Sequence, residues 1–219
     1  MEVLVGGLDV LQEDMIKGKT GGTNILCSGG PGLGKTLLAQ VMSETLSKVL
    51  YSIHCGHLGT DPKSVKNNLE AALERGHKWG AVVLLDEADV YIRRRGDDVT
   101  HNAIVASFLQ SLEYFDGLLF MTTNRENDVD DAIESRCIAH IKFKKPEGEH
   151  AARLWKILTK QYEVDQTDKQ ITELMKIFPP TAGRDIKELS KLVARYCMAR
   201  SEEPTPDVFR KLAQFKGLV

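Results

Sequence analysis

The sequence predicts an α/β fold: a mostly parallel sheet flanked by helices, followed by a small part built of helices alone. Two observations predict it. Up to Pro146, short apolar runs alternate with longer stretches of helical periodicity, the pattern of a sheet buried on both faces. Beyond Pro146 no further strand-like run appears, and only helical spacing remains.

The predicted strands are residues 24–28, 49–53, 81–86, 118–122 and 138–143, each short, apolar and bounded by polar or glycine-containing segments. Between the second and third, Asp61 before Pro62 marks a helix start, and Val65, Leu69, Ala72 and Leu73 then share one face. After the third, Ile104, Val105, Phe108, Leu109, Leu112 and Phe115 keep the stripe of a helix packed on a sheet. In the last part the periodic positions are Leu154, Ile157 and Leu158, then Leu174 and Ile177, then Leu189, Leu192, Val193 and Tyr196. A final helix carrying Val208, Leu212 and Phe215 is set off by Pro204 and Pro206. The expected division is an α/β domain over 1–146 and a helical domain over 147–219.

Composition excludes several classes. With 42% hydrophobic and 27% charged residues in 219, the chain is neither disordered nor fibrous. A net charge of −2, from 29 basic and 31 acidic residues, gives no general reason to expect nucleic acid or an anionic membrane as partner. Cys27, Cys55, Cys137 and Cys197 are widely spaced with no CxxC pair, which reads as reduced thiols. Acidic residues at positions 2, 9, 13 and 14 break up any signal-peptide core, and no apolar run reaches membrane-spanning length. The expectation is a cytoplasmic protein without a membrane partner.

Residues 29–36 read GGPGLGKT, which fits GxxxxGK[ST] and falls between a predicted strand and a predicted helix. In that context consecutive backbone N–H groups turn around a β-phosphate and the helix start offers its positive dipole end. Lys35 reaches the β/γ-phosphates and the Thr36 hydroxyl meets Mg²⁺. Gly30, Pro31, Gly32, Leu33, Gly34, Lys35 and Thr36 are therefore the candidate nucleotide-binding residues. Fifty residues on, an apolar strand ends in Asp86 and Glu87, placing Asp86 to hold the Mg²⁺ shell and Glu87 to polarise the attacking water. Such a pair is also what a solvated helix cap presents; beside a phosphate loop the catalytic reading is the stronger.

These two motifs resemble Walker A and Walker B of the AAA+ ATPases, and the resemblance extends over nearly the whole chain. It implies a P-loop NTPase sheet with a C-terminal helical lid, ATP and Mg²⁺ as cofactors, and ATP hydrolysis coupled to remodelling of a protein partner by a homo-oligomeric, hexameric ring. Residues 118–124, ending Thr122-Thr123-Asn124, resemble the sensor 1 strand, which makes Asn124 the partner of Glu87 in orienting water. Residues 130–136, DDAIESR, are similar to the segment whose arginine reaches the γ-phosphate held by the neighbouring subunit, which makes Arg136 the arginine finger; a surface arginine paired with Glu134 or Asp131 is the alternative. Arg184, in TAGRDI, resembles sensor 2, and an arginine there points away from the proteasome and membrane-fusion branch. Val5 and Gly6 resemble the segment that lies along adenine, or form a simple turn before a helix over 8–15.

Three weaker features remain. Residues 56–59, GHLG, stand where ring ATPases carry a pore loop but lack an aromatic ring, so His57 and Leu58 are the candidate pore-lining residues. His54, Cys55 and His57 have zinc-binding chemistry without a second ligand pair. Arg93-Arg94-Arg95 is either a solvated loop or a contact to nucleic acid or an acidic chain. Other readings are a DNA-associated loader, which Ser135-Arg136-Cys137 and Arg184 also resemble, an ATP-gated scaffold with little turnover, and a small-molecule kinase, which leaves Asn124, Arg136 and Arg184 without a joint role.

Overall fold

A computed structural model describes residues 22–218. They form two compact units, one comprising the described residues up to Gly30 with Gly34–Phe143, the other Pro31–Leu33 with the described residues from Lys144 onward.

The first unit is built on five parallel strands, β1 (Thr23–Gly29), β2 (Leu50–His54), β3 (Val82–Asp86), β4 (Leu118–Thr123) and β5 (Ala139–Phe143), in the order β2-β3-β4-β1-β5. The period-2 alternation of the strands divides their apolar residues between two cores. On one face Leu26, Val83, Leu85, Leu119 and Met121 pack with Val65 and Leu69 of α2 (Pro62–Lys78) and with Val105 and Phe108 of α4 (Val99–Glu113). On the other, Ile25, Cys27, Val82, Leu84 and Phe120 pack with Ala39 and Met42 of α1 (Lys35–Thr45). Two short helices, α3 (Asp89–Ile92) and α5 (Asp131–Glu134), follow β3 and β4. The helix expected from Asp61-Pro62 is α2, and Asp61 Oδ1 accepts from the Ser64 N–H at 3.0 Å as an N-cap with proline in the first turn.

The second unit holds α6 (Gly148–Gln161), α7 (Asp168–Ile177), α8 (Gly183–Arg200) and α9 (Pro206–Ala213). Their apolar stripes meet around Trp155, which stacks on Phe178 at 5.6 Å and meets the edge of Phe209 at 6.0 Å. Thr167 and Gln170 cap α7 reciprocally, and Pro206 opens α9 at a position where its missing N–H costs nothing.

Candidate active site

Parallel register brings the carboxyl ends of β1, β3 and β4 side by side, and the predicted chemistry gathers there. The turn out of β1 demands glycine. Gly29 has φ 138° and a Cβ there would meet the Phe143 carbonyl oxygen at 2.4 Å, while Gly34 caps α1 at φ 99°. No side chain caps the start of α1, so its leading N–H groups keep the donor set that an anion takes at a helix N-terminus. Lys35 is 8% exposed, and its Nζ donates to the carbonyls of Gly29 (2.8 Å) and Gly30 (2.7 Å) and to Asn124 Oδ1 (2.9 Å). The structure thus joins the phosphate-loop lysine to the predicted sensor asparagine through one proton donor.

The acidic pair is held by a residue that sequence reasoning did not single out. The Thr122 hydroxyl donates to Asp86 Oδ1 at 2.6 Å and accepts from the Glu87 N–H at 3.0 Å, so one buried threonine of β4 fixes both members. Thr36 Oγ1 donates to the same Asp86 oxygen at 3.0 Å. A hydroxyl and a carboxylate this close are hard oxygen ligands of the kind Mg²⁺ takes, so the donor set fits that ion. Glu87 itself sits at φ 56°, a conformation that disfavours a side chain with a Cβ by about 1–2 kcal/mol. Strain of this kind at a strand end is common where a side chain has been aimed for function.

Two further partners come from neighbouring strands. His54, the last residue of β2, pairs in register with Asp86 and brings its Nε2 to 3.1 Å from Glu87 Oε2. Its Nδ1 accepts from the Gly56 N–H at 3.1 Å, which assigns the ring proton to Nε2 and makes His54 the donor to Glu87. Asp89, at the start of α3, accepts from the Asn124 N–H at 3.0 Å and from the Thr123 hydroxyl, tying the end of β4 to the helix that follows Glu87.

Arg136 stands immediately beyond α5 and its C-cap residue. It pairs with neither Glu134 nor Asp131: its Nη2 lies 2.5 Å from Glu113 Oε1 at the end of α4, and its Nη1 donates to the Ala132 carbonyl at 3.0 Å. The Nε is buried without a hydrogen-bond partner among the described residues. Arg184, in the helical unit, is joined to the tip of the phosphate loop that groups with that unit, its N–H donating to the Gly32 carbonyl at 3.2 Å. Val5 and Gly6 lie outside the described residues.

The weaker features resolve toward structure. Leu58 is 2% exposed and belongs to the α/β core, so it cannot line a pore, whereas His57 is exposed. His54 is engaged by Glu87 and Gly56, and no group of three or more His, Cys, Asp or Glu side chains placed to hold a metal ion occurs among the described residues. In the arginine run, Arg94 Nη2 meets Asp131 Oδ1 at 2.7 Å and Arg95 forms a two-pronged pair with Asp130, which leaves Arg93 as the member without such an ion pair among the described residues. Phosphate binding needs several available cations, so this run gives a nucleic-acid reading little support.

Comparison with known proteins places the fold and the chemistry together. A family model described as "ATPase family associated with various cellular activities (AAA)" matches residues 25–145, a little over half of the chain. The chain belongs to this AAA family. ATP hydrolysis is the chemistry of that family, and the strand-end groups described above all lie within the matched segment. Among curated proteins, the chain is 28% identical over 180 residues to a putative 26S proteasome regulatory subunit homolog of Methanothermobacter thermautotrophicus, covering 75% of this chain and 46% of that one. It is 26% identical to spastin of Xenopus tropicalis, covering 76% and 29%, and 26% identical to the AAA domain-containing protein FIGL1 of Arabidopsis thaliana, covering 83% and 28%. Proteasome-related and other relatives thus match at nearly the same identity, and these matches do not set the AAA chain apart from the proteasome branch. The chain spans about half or less of the length of these relatives. The crystal structure of the FIGL-1 AAA domain in complex with ADP superposes with a TM-score of 0.73 at 18% identity, covering 95% of this chain and 75% of that one, a likeness of fold. No helix among the described residues is long and apolar enough to cross a membrane.

Proposed function

We propose that this AAA chain binds Mg-ATP and hydrolyses it at a site shared between subunits of a homo-oligomeric, hexameric ring, and that the cycle remodels a protein partner. The observation that carries the reading is the convergence of Lys35, Thr36, Asp86, Glu87 and Asn124 at the carboxyl ends of the central strands, linked through Thr122 and through the Lys35–Asn124 contact. A kinase acting on a small molecule gives this combination, together with an exported arginine, no joint task.

In the proposed mechanism the backbone N–H groups at the start of α1 and the Lys35 ammonium take the phosphates. Thr36 and Asp86 would hold Mg²⁺, which supplies neutralisation of the charge on the β- and γ-oxygens. Glu87 accepts a proton from the water that attacks the γ-phosphorus as the bond to the β–γ bridging oxygen breaks and ADP leaves, while Asn124, released from Lys35, orients that water. Arg136 of one subunit neutralises charge developing on the γ-phosphoryl held by the next, and Arg184, in the helical domain over 147–219, serves the nucleotide. Val5 and Gly6 remain part of the proposed adenine contact. A protein partner is supported by relatives such as the proteasome-activating nucleotidase of Methanopyrus kandleri, 28% identical over 181 residues. Four free cysteines suit a reducing, cytoplasmic setting.

The deciding measurement is ATP turnover per subunit across a wide range of protein concentration, with Mg²⁺, for wild type, Lys35→Ala and Arg136→Ala. Turnover that rises with concentration in wild type, with nucleotide binding lost in Lys35→Ala and hydrolysis alone lost in Arg136→Ala, is expected. Flat turnover indifferent to Arg136 would sink the shared site.

A further inference from the structure

The three arginines after β3 are held in a way that neither a solvated loop nor a nucleic-acid contact describes. Residues 92–95 run antiparallel to 128–131 as a short paired ribbon: Arg93 bridges Val129, the Arg94 N–H donates to the Asp128 carbonyl at 2.9 Å, and the Asp130 N–H donates to the Ile92 carbonyl at 2.8 Å. Side chains seal the ribbon. Asp130 is 3% exposed, and its carboxylate accepts from Arg95 Nε (2.8 Å), Arg95 Nη2 (3.1 Å), the Arg95 N–H (3.2 Å) and the Ala132 N–H (3.0 Å). The last of these is the N-cap of α5, the single turn that delivers Arg136.

A four-residue helix has no rigidity of its own, since most helical stability comes from packing and the end groups. The direction in which Arg136 leaves it is therefore set by what holds its first turn. A planar guanidinium bonded at two points to a carboxylate fixes orientation as well as distance, which a lysine cannot reproduce. The far end of the same ribbon is anchored to α4, with the Asn102 side chain bonded to both the N–H (3.1 Å) and the carbonyl (2.7 Å) of Gly96. Helix α4 in turn ends at Glu113, the partner of Arg136. The opposite side of the ribbon leads back through α3 to Asp89, which holds the Asn124 N–H.

We infer that Arg95 and Asp130 are positioning residues for Arg136: their two-pronged pair fixes the α5 turn so that the arginine is presented in the geometry a neighbouring subunit's γ-phosphate requires. The inference rests on the reading of Arg136 as the exported arginine. It gives the Arg95 guanidinium a function that the family motifs described above do not include, and it links the segment after Glu87 to the group that acts on the next subunit.

Subunit mixing tests it. Arg95→Ala, Arg95→Lys and Asp130→Asn are assayed for ATP affinity, for turnover alone, and for turnover in equimolar mixture with Glu87→Gln, which carries a sound Arg136 and a dead site of its own. Arg95→Ala is expected to bind ATP within about twofold of wild type, to lose at least about tenfold in turnover, and to regain turnover in the mixture, because its intact site then receives Arg136 from Glu87→Gln. Arg95→Lys should recover part of the loss. Asp130→Asn keeps an acceptor for the Ala132 N–H and reads the same point should Arg95→Ala fail to fold. Wild-type turnover in both Arg95→Ala and Asp130→Asn overturns the inference. So does failure of the mixture to rescue them when it does rescue Arg136→Ala, since the fault would then lie in their own site. If the mixture fails to rescue Arg136→Ala as well, the shared-site reading itself falls.

Discussion

Arg136 lies against Glu113 of its own chain, Nη2 to Oε1 at 2.5 Å, so the guanidinium proposed to serve a neighbour is engaged at home in the isolated subunit. The two side chains are each 31% exposed, a half-buried pair that loses little by exchange for a stronger anion. In the proposed shared site, reaching a γ-phosphate would require Arg136 to leave Glu113, and the cost of that exchange would set part of the concentration at which assembly and turnover appear.

Weakening the home pair should ease the exchange. Glu113→Gln is expected to shift the turnover-against-concentration curve to lower protein concentration by about two- to fivefold, the equivalent of under about 1 kcal/mol, with maximal turnover unchanged. An unmoved curve would show that Glu113 does not compete for Arg136.

Glu87 and His54 can be separated by kinetics. Glu87→Gln should bind ATP normally and lose at least about a hundredfold in kcat, the range of a general base. His54→Ala removes the Nε2–H donor that fixes the Glu87 carboxylate, and a smaller loss of about tenfold in kcat is expected with ATP affinity within about twofold. The pair is more than half exposed, so Tm should stay within about 2 °C of wild type in His54→Ala. A raised Kd for ATP with kcat intact would contradict the assignment.

Acid should act on the ribbon through Asp130. Burial pushes its carboxyl up, but hydrogen bonds from the Arg95 side chain and from the Ala132 and Arg95 N–H groups outweigh this and hold it below the ordinary carboxylate value. A group whose folded value is depressed stabilises above its unfolded value, about 3.9, and the contribution is lost as pH falls through the lower folded value. Wild type should therefore lose stability below about pH 4 more steeply than Asp130→Asn, as denaturant midpoints at pH 3 to 7 would register. Equal slopes would remove Asp130 from the acid response.

Three of the four cysteines should be inert in the native chain. Burial pushes the thiols of Cys27, Cys55 and Cys137 up to about 12, so almost no thiolate is present near neutrality. Iodoacetamide at pH 8 is expected to leave these three unlabelled until denaturant is added, as peptide mass analysis would reveal. Native labelling at any of them would mean that the α/β core opens far more readily than its packing implies.

The sequence by itself determined the elements and the candidate groups that depend on adjacent residues. A parallel sheet buried on both faces must be written in short apolar runs, and these fell at β1 to β5 within a residue or two. The phosphate loop was legible because its conformation is local: glycines at Gly29 and Gly34 take backbone angles other residues resist, and Lys35 and Thr36 follow them in the chain. Asp86, Glu87 and Asn124 were legible because they end apolar strands. What the tertiary structure alone decided is how distant residues pair. Strand order and register place His54 beside Asp86 and Thr122 beneath both acids, and no local pattern encodes that adjacency. The arginine run looked like a solvated loop because its partners lie 35 or more residues away, at Asp130 and Asp131. The alternative reading of Arg136, a surface arginine paired with its neighbours Glu134 or Asp131, fails because its partner is Glu113, 23 residues earlier, at the end of α4. Local backbone preference writes itself into adjacent residues, whereas the partner of a charge is chosen by whatever the folded chain carries past it.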